Sequence, residues 1–249
     1  MKRVLITGGA GGIGLEIARK FIDEGARVLV CDVEEAALQT ARSLGPELVA
    51  TRCDVADVAQ LDALFDCLSR DLGGLDVLVN NVGIGGATLP AERLPSEEWQ
   101  RVLDVNLTGT FEVTRRAIPL LKDSAGVIIV MSSAAGRFGY PNRIAYSVTK
   151  WGLIGFAKTL AMELGEHGIS VNAILPGAVG GDRYDRVIEG RAKLSGVPID
   201  EVIRAGFAAQ SIKKVVDPCH VAELALFLTT EAGRSISGQA LPIDCDMRG

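Results

Sequence analysis

What most constrains this chain is a rhythm. Seven short apolar runs, Val4–Ile6, Arg27–Cys31, Leu48–Cys53, Leu75–Val79, Val127–Met131, Ile169–Leu175 and Ala240–Ile243, alternate with segments of helical period. Most are nearly unbroken, as strands covered on both faces of a parallel sheet must be. Between them, Ile13, Ile17 and Phe21 recur every four residues and Gly25 supplies a stop. Leu153, Phe156, Ala157, Leu160 and Leu164 form one apolar stripe. Ser96, followed by Glu97 and Glu98, is expected to cap a helix, and a helix is expected to run from Trp99 through Leu121. Strand–helix alternation over 249 residues without a linker or repeat predicts an α/β fold. It would be a doubly wound parallel sheet of about seven strands with helices on both faces, in a single domain spanning residues 1–249. One stretch breaks the rhythm: from Gly177 to Asp217 there is no strand and two helices are expected. A long insertion past a strand end is more often a functional lid than a gap in the fold, which places a lid at about residues 178–215.

Bulk properties narrow the function. A formal net charge of -5 argues against a nucleic-acid partner, which demands a basic face. Five cysteines without a C-x-x-C pair, and two histidines outside any ligand-like cluster, point to a reduced intracellular chain with no metal. No apolar run approaches the roughly 18 residues of a membrane span. The residues after Met1 start a strand, not a targeting segment. A cytoplasmic protein acting on small molecules is the expectation.

The first chemical signal is Thr7-Gly8-Gly9-Ala10-Gly11-Gly12-Ile13-Gly14, which leaves a strand and opens a helix. Glycines there allow a tight turn and let backbone N–H groups approach a pyrophosphate at a helix N-terminus. Two templates fit, one on Gly9, Gly11 and Gly14 and one on Gly8, Gly12 and Gly14. Asp32 ends the second strand eighteen residues past Gly14, close to the spacing expected of a carboxylate that holds the adenosine ribose. It would repel the 2′-phosphate of NADP, and no Lys or Arg follows before Arg42, so NAD is the expected cofactor.

The second signal is Tyr146-Ser147-Val148-Thr149-Lys150, whose ends share a helical face. A neighbouring ammonium favours the tyrosinate and lowers the phenol pKa toward the working range. An isolated Tyr-x-x-x-Lys is usually plain helix surface. Here Ser133 leaves the carboxyl end of a central strand, where ligands bind in such sheets, and Gly136, Gly139 and Pro141 turn the chain back toward Tyr146.

Taken together the motifs resemble the short-chain dehydrogenase/reductase family, compact branch, over essentially the whole chain. They are Thr7-Gly8 with Gly12 and Gly14, Asp54-Val55, Asn80-Asn81-Val82-Gly83, Asn106, Ser133, Tyr146 with Lys150, and Pro176-Gly177. The resemblance implies a Rossmann-like fold, a homotetramer and a catalytic set of Ser133, Tyr146, Lys150 and Asn106. Tyr146 would exchange the proton, Ser133 would bond the reacting oxygen, Lys150 would also hold the nicotinamide ribose, and Asn106 would anchor a water linking Lys150 to solvent. Cofactor contacts would come from Gly8, Gly12, Ile13, Gly14, Asp32, Asp54, Val55, Asn81, Gly83, Tyr146, Lys150, Pro176, Gly177 and Val179. By analogy the substrate would meet Ser133, Arg143, Tyr146 and Arg183. A threonine common in the family near position 181 is replaced by glycine, so the nicotinamide amide would be held otherwise. The expected reaction is hydride transfer between NAD(H) and a small polar secondary alcohol or ketone, such as a polyol, sugar derivative or hydroxy acid. The alternatives are an NADPH-linked 3-ketoacyl-thioester reductase and a dinucleotide-binding protein without activity.

Overall fold

A computed structural model describes residues 1–247, with every side chain among them except those of Asp182 and Arg183. Its centre is a seven-stranded, wholly parallel sheet. The strands are β1 (Arg3–Thr7), β2 (Arg27–Asp32), β3 (Leu48–Arg52), β4 (Val77–Asn80), β5 (Val127–Met131), β6 (Ser170–Pro176) and β7 (Ala240–Ile243). They lie in the order β3-β2-β1-β4-β5-β6-β7. The doubly wound α/β fold expected from the rhythm is therefore present. The order reverses between β1 and β4, and the crevice beyond their carboxyl ends is where such sheets receive ligands.

Side-chain alternation divides β1 to β6 between two cores, while β7 packs on one of them alone. In β5, Ile128 and Val130 join a cluster with α3 (Val58–Asp71), α5 (Gly109–Ser124) and α6 (Ile144–Leu164). Val127, Ile129 and Met131 face the other way, toward α1 (Gly12–Asp23), α2 (Glu35–Arg42) and α9 (Pro218–Phe227). Val4, Leu5 and Ile6 of β1 have no exposed surface at all. A run that must please both faces has no room for polar alternation, which is why the strands were visible.

Several strand ends shift by a residue, and three boundaries differ in ways that matter for the fold. β4 runs from Val77, although Asp76 already bonds to both neighbouring strands: its N–H donates to Arg3 O (2.9 Å) and its carbonyl accepts from Val127 N (2.9 Å), while its carboxylate accepts from Arg3 N (2.8 Å) and Arg3 Nη2 (2.8 Å). The helix expected to open with Ser96 as cap, α4 (Ser96–Leu103), has Pro95 in that position and no side-chain cap bond. Nor does one helix continue to Leu121. A π-helical turn, Asp104–Thr108, separates α4 from α5.

The insertion after β6 carries α7 (Asp182–Ser195) and α8 (Ile199–Ala208), as expected. Its two ends are tied together: Val216 N donates to Ala178 O (2.7 Å) and Gly180 N to Val216 O (3.1 Å). Among the described residues, no helix is long and apolar enough to cross a membrane.

Candidate active site

The glycine loop joins β1 to α1 at the sheet's reversal point. Gly8 (φ +60°) and Gly12 (φ +50°) sit in the left-handed region. Gly14 is confined differently: a Cβ there would collide with the Gly8 carbonyl and lie 2.6 Å from the Asn81 amide nitrogen. Demand thus falls on Gly8, Gly12 and Gly14, and also on Gly9, where a Cβ would stand 2.8 Å from Val30 and 2.9 Å from Ile6 O; of the glycines in the two templates Gly11 is the unconstrained one. Nothing lies within 4 Å of a Cβ built on Gly11 or Gly12, so this side of the loop is open. No side chain caps α1 and its first turn holds no acidic residue. Its N-terminal N–H groups, Ile13 and Gly14 among them, are thus placed to meet an anion.

Asn81 holds this loop against β4. Its amide nitrogen donates to Thr7 O (3.1 Å) and Gly8 O (2.7 Å), while Thr7 Oγ1 accepts from Asn81 N and Val82 N, both at 3.1 Å. At the end of β2, Asp32 Oδ1 accepts from Val33 N (2.8 Å) and Oδ2 from Ala10 N (3.3 Å). The carboxylate is therefore fixed beside the glycine loop. Arg52 stands across the ladder from Asp32, and its Nε donates to Val33 O (3.4 Å). Reading forward along the chain from Asp32 for a basic residue misses it, because the neighbour lies on the next strand. Asp54 Oδ1 accepts from Ala56 N (3.0 Å), and Val55 is buried against Gly109. Asp54 also borders an open groove of about 600 Å³ lined by Ser96, Gln100 and Arg101.

The second half of the site gathers where β5 and β6 end. Ser133 follows β5 and its Oγ accepts from Ala135 N (3.1 Å), opening a single 3₁₀ turn. That turn is locked to α6: Ser132 Oγ donates to Lys150 O (2.7 Å) and Ser147 Oγ to Ala135 O (2.9 Å). Lys150 is buried, with Nζ donating to Met131 O (2.7 Å), and Nζ stands 5.6 Å from the centre of the Tyr146 ring. Asn106 is fully buried in the π-helical turn. Its Oδ1 accepts from Ile84 N (2.8 Å); its Nδ2 donates to Ile84 O (3.0 Å) and to Thr149 Oγ1 (3.0 Å). Thr149 Oγ1 in turn donates to Tyr146 O (2.8 Å). Asn106 therefore reaches the tyrosine through Thr149, a residue to which the motifs assign no role. Gly83 completes this corner, close to both Lys150 Nζ and Asn106 Oδ1.

Arg143 precedes α6 and is buried. Its Nε (3.2 Å) and Nη2 (3.0 Å) donate to Gly85 O, and its guanidinium carbon lies 5.2 Å from the Tyr146 ring centre and 5.9 Å from that of Tyr140. The site thus brings two cations to one half-buried tyrosine. Pro176 ends β6, Gly177 packs on Asp244, and Val179 bridges to Val216 at the neck of the insertion. The side chain of Arg183 lies outside the described residues.

The family model for short chain dehydrogenase matches residues 2–191. The chain belongs to the short-chain dehydrogenase family. As a member it is an oxidoreductase acting on CH–OH groups, for which a dinucleotide cofactor is expected. Galactitol 2-dehydrogenase of Agrobacterium fabrum is 35% identical over 246 residues, covering 98% of this chain and 96% of that protein. A crystal structure of an actinorhodin polyketide ketoreductase variant with NADPH superposes with a TM-score of 0.93, at 35% identity over 98% of this chain and 96% of that one. The NAD⁺-bound structure of a xylitol dehydrogenase gives a TM-score of 0.93, at 31% identity over 98% of both chains.

Proposed function

We propose that this short-chain dehydrogenase interconverts a small polar secondary alcohol and its ketone, with NAD(H) as cofactor. One observation carries the reading: Tyr146, a half-buried phenol, is flanked by the cations of Lys150 and Arg143. Both charges favour the tyrosinate, so Tyr146 Oη can take the alcohol's proton on oxidation and return it on reduction. The Ser133 hydroxyl holds the reacting oxygen, and the Asn106–Thr149 pair fixes the helix that presents the tyrosine. When bound, the nicotinamide supplies or accepts the hydride.

Loop glycines Gly8, Gly12 and Gly14, with Ile13, would hold the pyrophosphate, and Asp32 the adenosine ribose. Asp54, Val55, Asn81 and Gly83 would line the adenosine and ribose side. Pro176, Gly177 and Val179, with Lys150, would meet the nicotinamide end. Residues 178–215 act as a lid over the reacting carbon, hinged where Gly181 takes φ +119°. Retention of Ser133, Tyr146 and Lys150 speaks against a dinucleotide-binding protein without activity.

Preference for NAD rests on charge. A unit charge pair about 4 Å apart interacts by roughly 4 kcal/mol at an effective dielectric near 20. Asp32, with Glu34 following, would oppose a 2′-phosphate. Arg52 pulls the other way and favours a second reading, an NADPH-linked 3-ketoacyl-thioester reductase. Steady-state rates with each cofactor decide between them. NAD(H) is expected to be preferred, and Asp32→Ser to narrow the preference chiefly by improving NADP(H). Equal or better wild-type efficiency with NADP(H) would favour the thioester reductase.

A homotetramer is also proposed. Phe111 of α5, and Val148 and Trp151 of α6, are large apolar residues about half exposed. Burying them against symmetry mates would stiffen the helix that carries Tyr146 and Lys150. Light scattering at micromolar concentration is expected to give four times the chain mass. A monomer there contradicts the assignment.

A further inference from the structure

The lid helix α7 carries several cations, and one of them turns toward the site. Arg191 places its guanidinium carbon 4.7 Å from the centre of the Tyr140 ring. Tyr140 in turn faces Tyr146, with ring centres 6.5 Å apart, and Arg143 lies within cation–π distance of both rings. Tyr140 is therefore a shared neighbour: Arg191 of the lid stands at its ring, as does Arg143, which also stands at the ring of the proton-transferring tyrosine. This placement is built into the fold. Ile188 of α7 is buried, and a Cβ on Gly190 would stand 3.4 Å from Thr88 Oγ1, so the helix is seated on the loop that follows β4.

Arg191 differs from the arginines that carry ion pairs. Arg3, Arg42, Arg70, Arg101, Arg115 and Arg116 each pair with a carboxylate. Arg191 is half-buried, yet among the described residues no carboxylate lies within ion-pair distance of it. Asp185 and Glu189 of α7 are exposed, although Asp185 is near enough to act on Tyr184. The Tyr184 phenol is pushed up by burial, with the Arg191 charge opposing that rise, which keeps it a hydrogen-bond donor at neutral pH. A partly desolvated guanidinium without an anion costs free energy that an anionic ligand recovers, and its planar fork suits a carboxylate.

We infer that Arg191 is a specificity-determining residue that binds a carboxylate on the substrate, making the preferred substrate a hydroxy acid or the corresponding keto acid and not a neutral polyol. The inference rests on the proposed role of Tyr146 as the reacting centre. It also assigns the lid's task to a residue in the third turn of α7, beside Tyr140, where a bound carboxylate would tie the lid to the body of the protein.

Steady-state kinetics with NAD on lactate, 3-hydroxybutyrate and malate, against butane-1,3-diol and a pentitol, provide the test. Wild-type enzyme is expected to favour the acids. Arg191→Ala should raise KM for the best acid by roughly tenfold or more with kcat changed far less, because a charge-assisted contact is lost while the reacting groups stay in place. Its loss on the acid should exceed its loss on the diol by about the same factor, and Arg191→Lys should restore part of the affinity. Turnover of the neutral compounds but not the acids overturns the inference and leaves the proposed activity standing. So does an equal loss on acid and diol. Failure of the wild-type enzyme to turn over either group overturns both.

Discussion

Replacing Tyr146 by phenylalanine is expected to lower turnover by at least about a hundredfold, the lower end of what a positioned acid–base group contributes. The change is nearly isosteric. The ring keeps its place near Arg143 and Lys150, and the Thr149 bond to the residue 146 carbonyl survives because it is a backbone contact. What disappears is the phenolic oxygen to which the proton transfer is assigned. Cofactor affinity, read by quenching or enhancement of NADH fluorescence, should remain near that of the wild type. A Phe variant with near-native turnover would show that the proton leaves by another route and would remove Tyr146 from its role.

Lys150→Ala should damage two properties at once. The ammonium sits behind the Tyr146 ring and donates to the Met131 carbonyl at the end of β5, so its loss takes away a charge and a tie between helix and sheet. Turnover is expected to drop by a factor of about a hundred or more, again on the scale of general acid–base assistance, and NADH to bind more weakly. Because Lys150 is buried, truncation also leaves a void. Lys150→Met, which keeps most of the stem, separates the effects: turnover should stay low while thermal stability recovers. A Met variant with wild-type turnover and NADH affinity would mean that the ammonium serves packing alone.

The sheet was legible because burial on both faces leaves a crude mark, an unbroken apolar run such as Val127–Met131. The glycine loop and the Tyr146–Lys150 pair were legible because their spacing is local, within one turn or one helix. What escaped depends on contacts distant in sequence. Arg52 becomes a neighbour of Asp32 only through the β2–β3 register, twenty residues away along the chain. Thr149 becomes the intermediary between Asn106 and Tyr146 only when α6 crosses the π-helical turn. Arg191 was one basic residue among several on a polar helix, and periodicity could not say which of them leans on Tyr140. The π-helical turn itself leaves no trace in apolar spacing, since the buried face of α5 reads as an ordinary helix.

That turn makes chain length a fixed quantity in one place. A π turn accommodates a residue beyond the regular α-helical count, and each residue of an α-helix advances the side chains by about 100°. Deleting one position between Leu103 and Gly109 would let α4 and α5 fuse into an uninterrupted helix, but out of phase. Either the face bearing Val113, Ala117 and Leu121 would rotate away from the sheet, or Val102 would leave its own buried setting. Asn106 would lose its line to Ile84 and Thr149 in the same movement. The five residues around Asn106 therefore behave as a gauge block whose count has to be kept for the two helices and the site to remain in step.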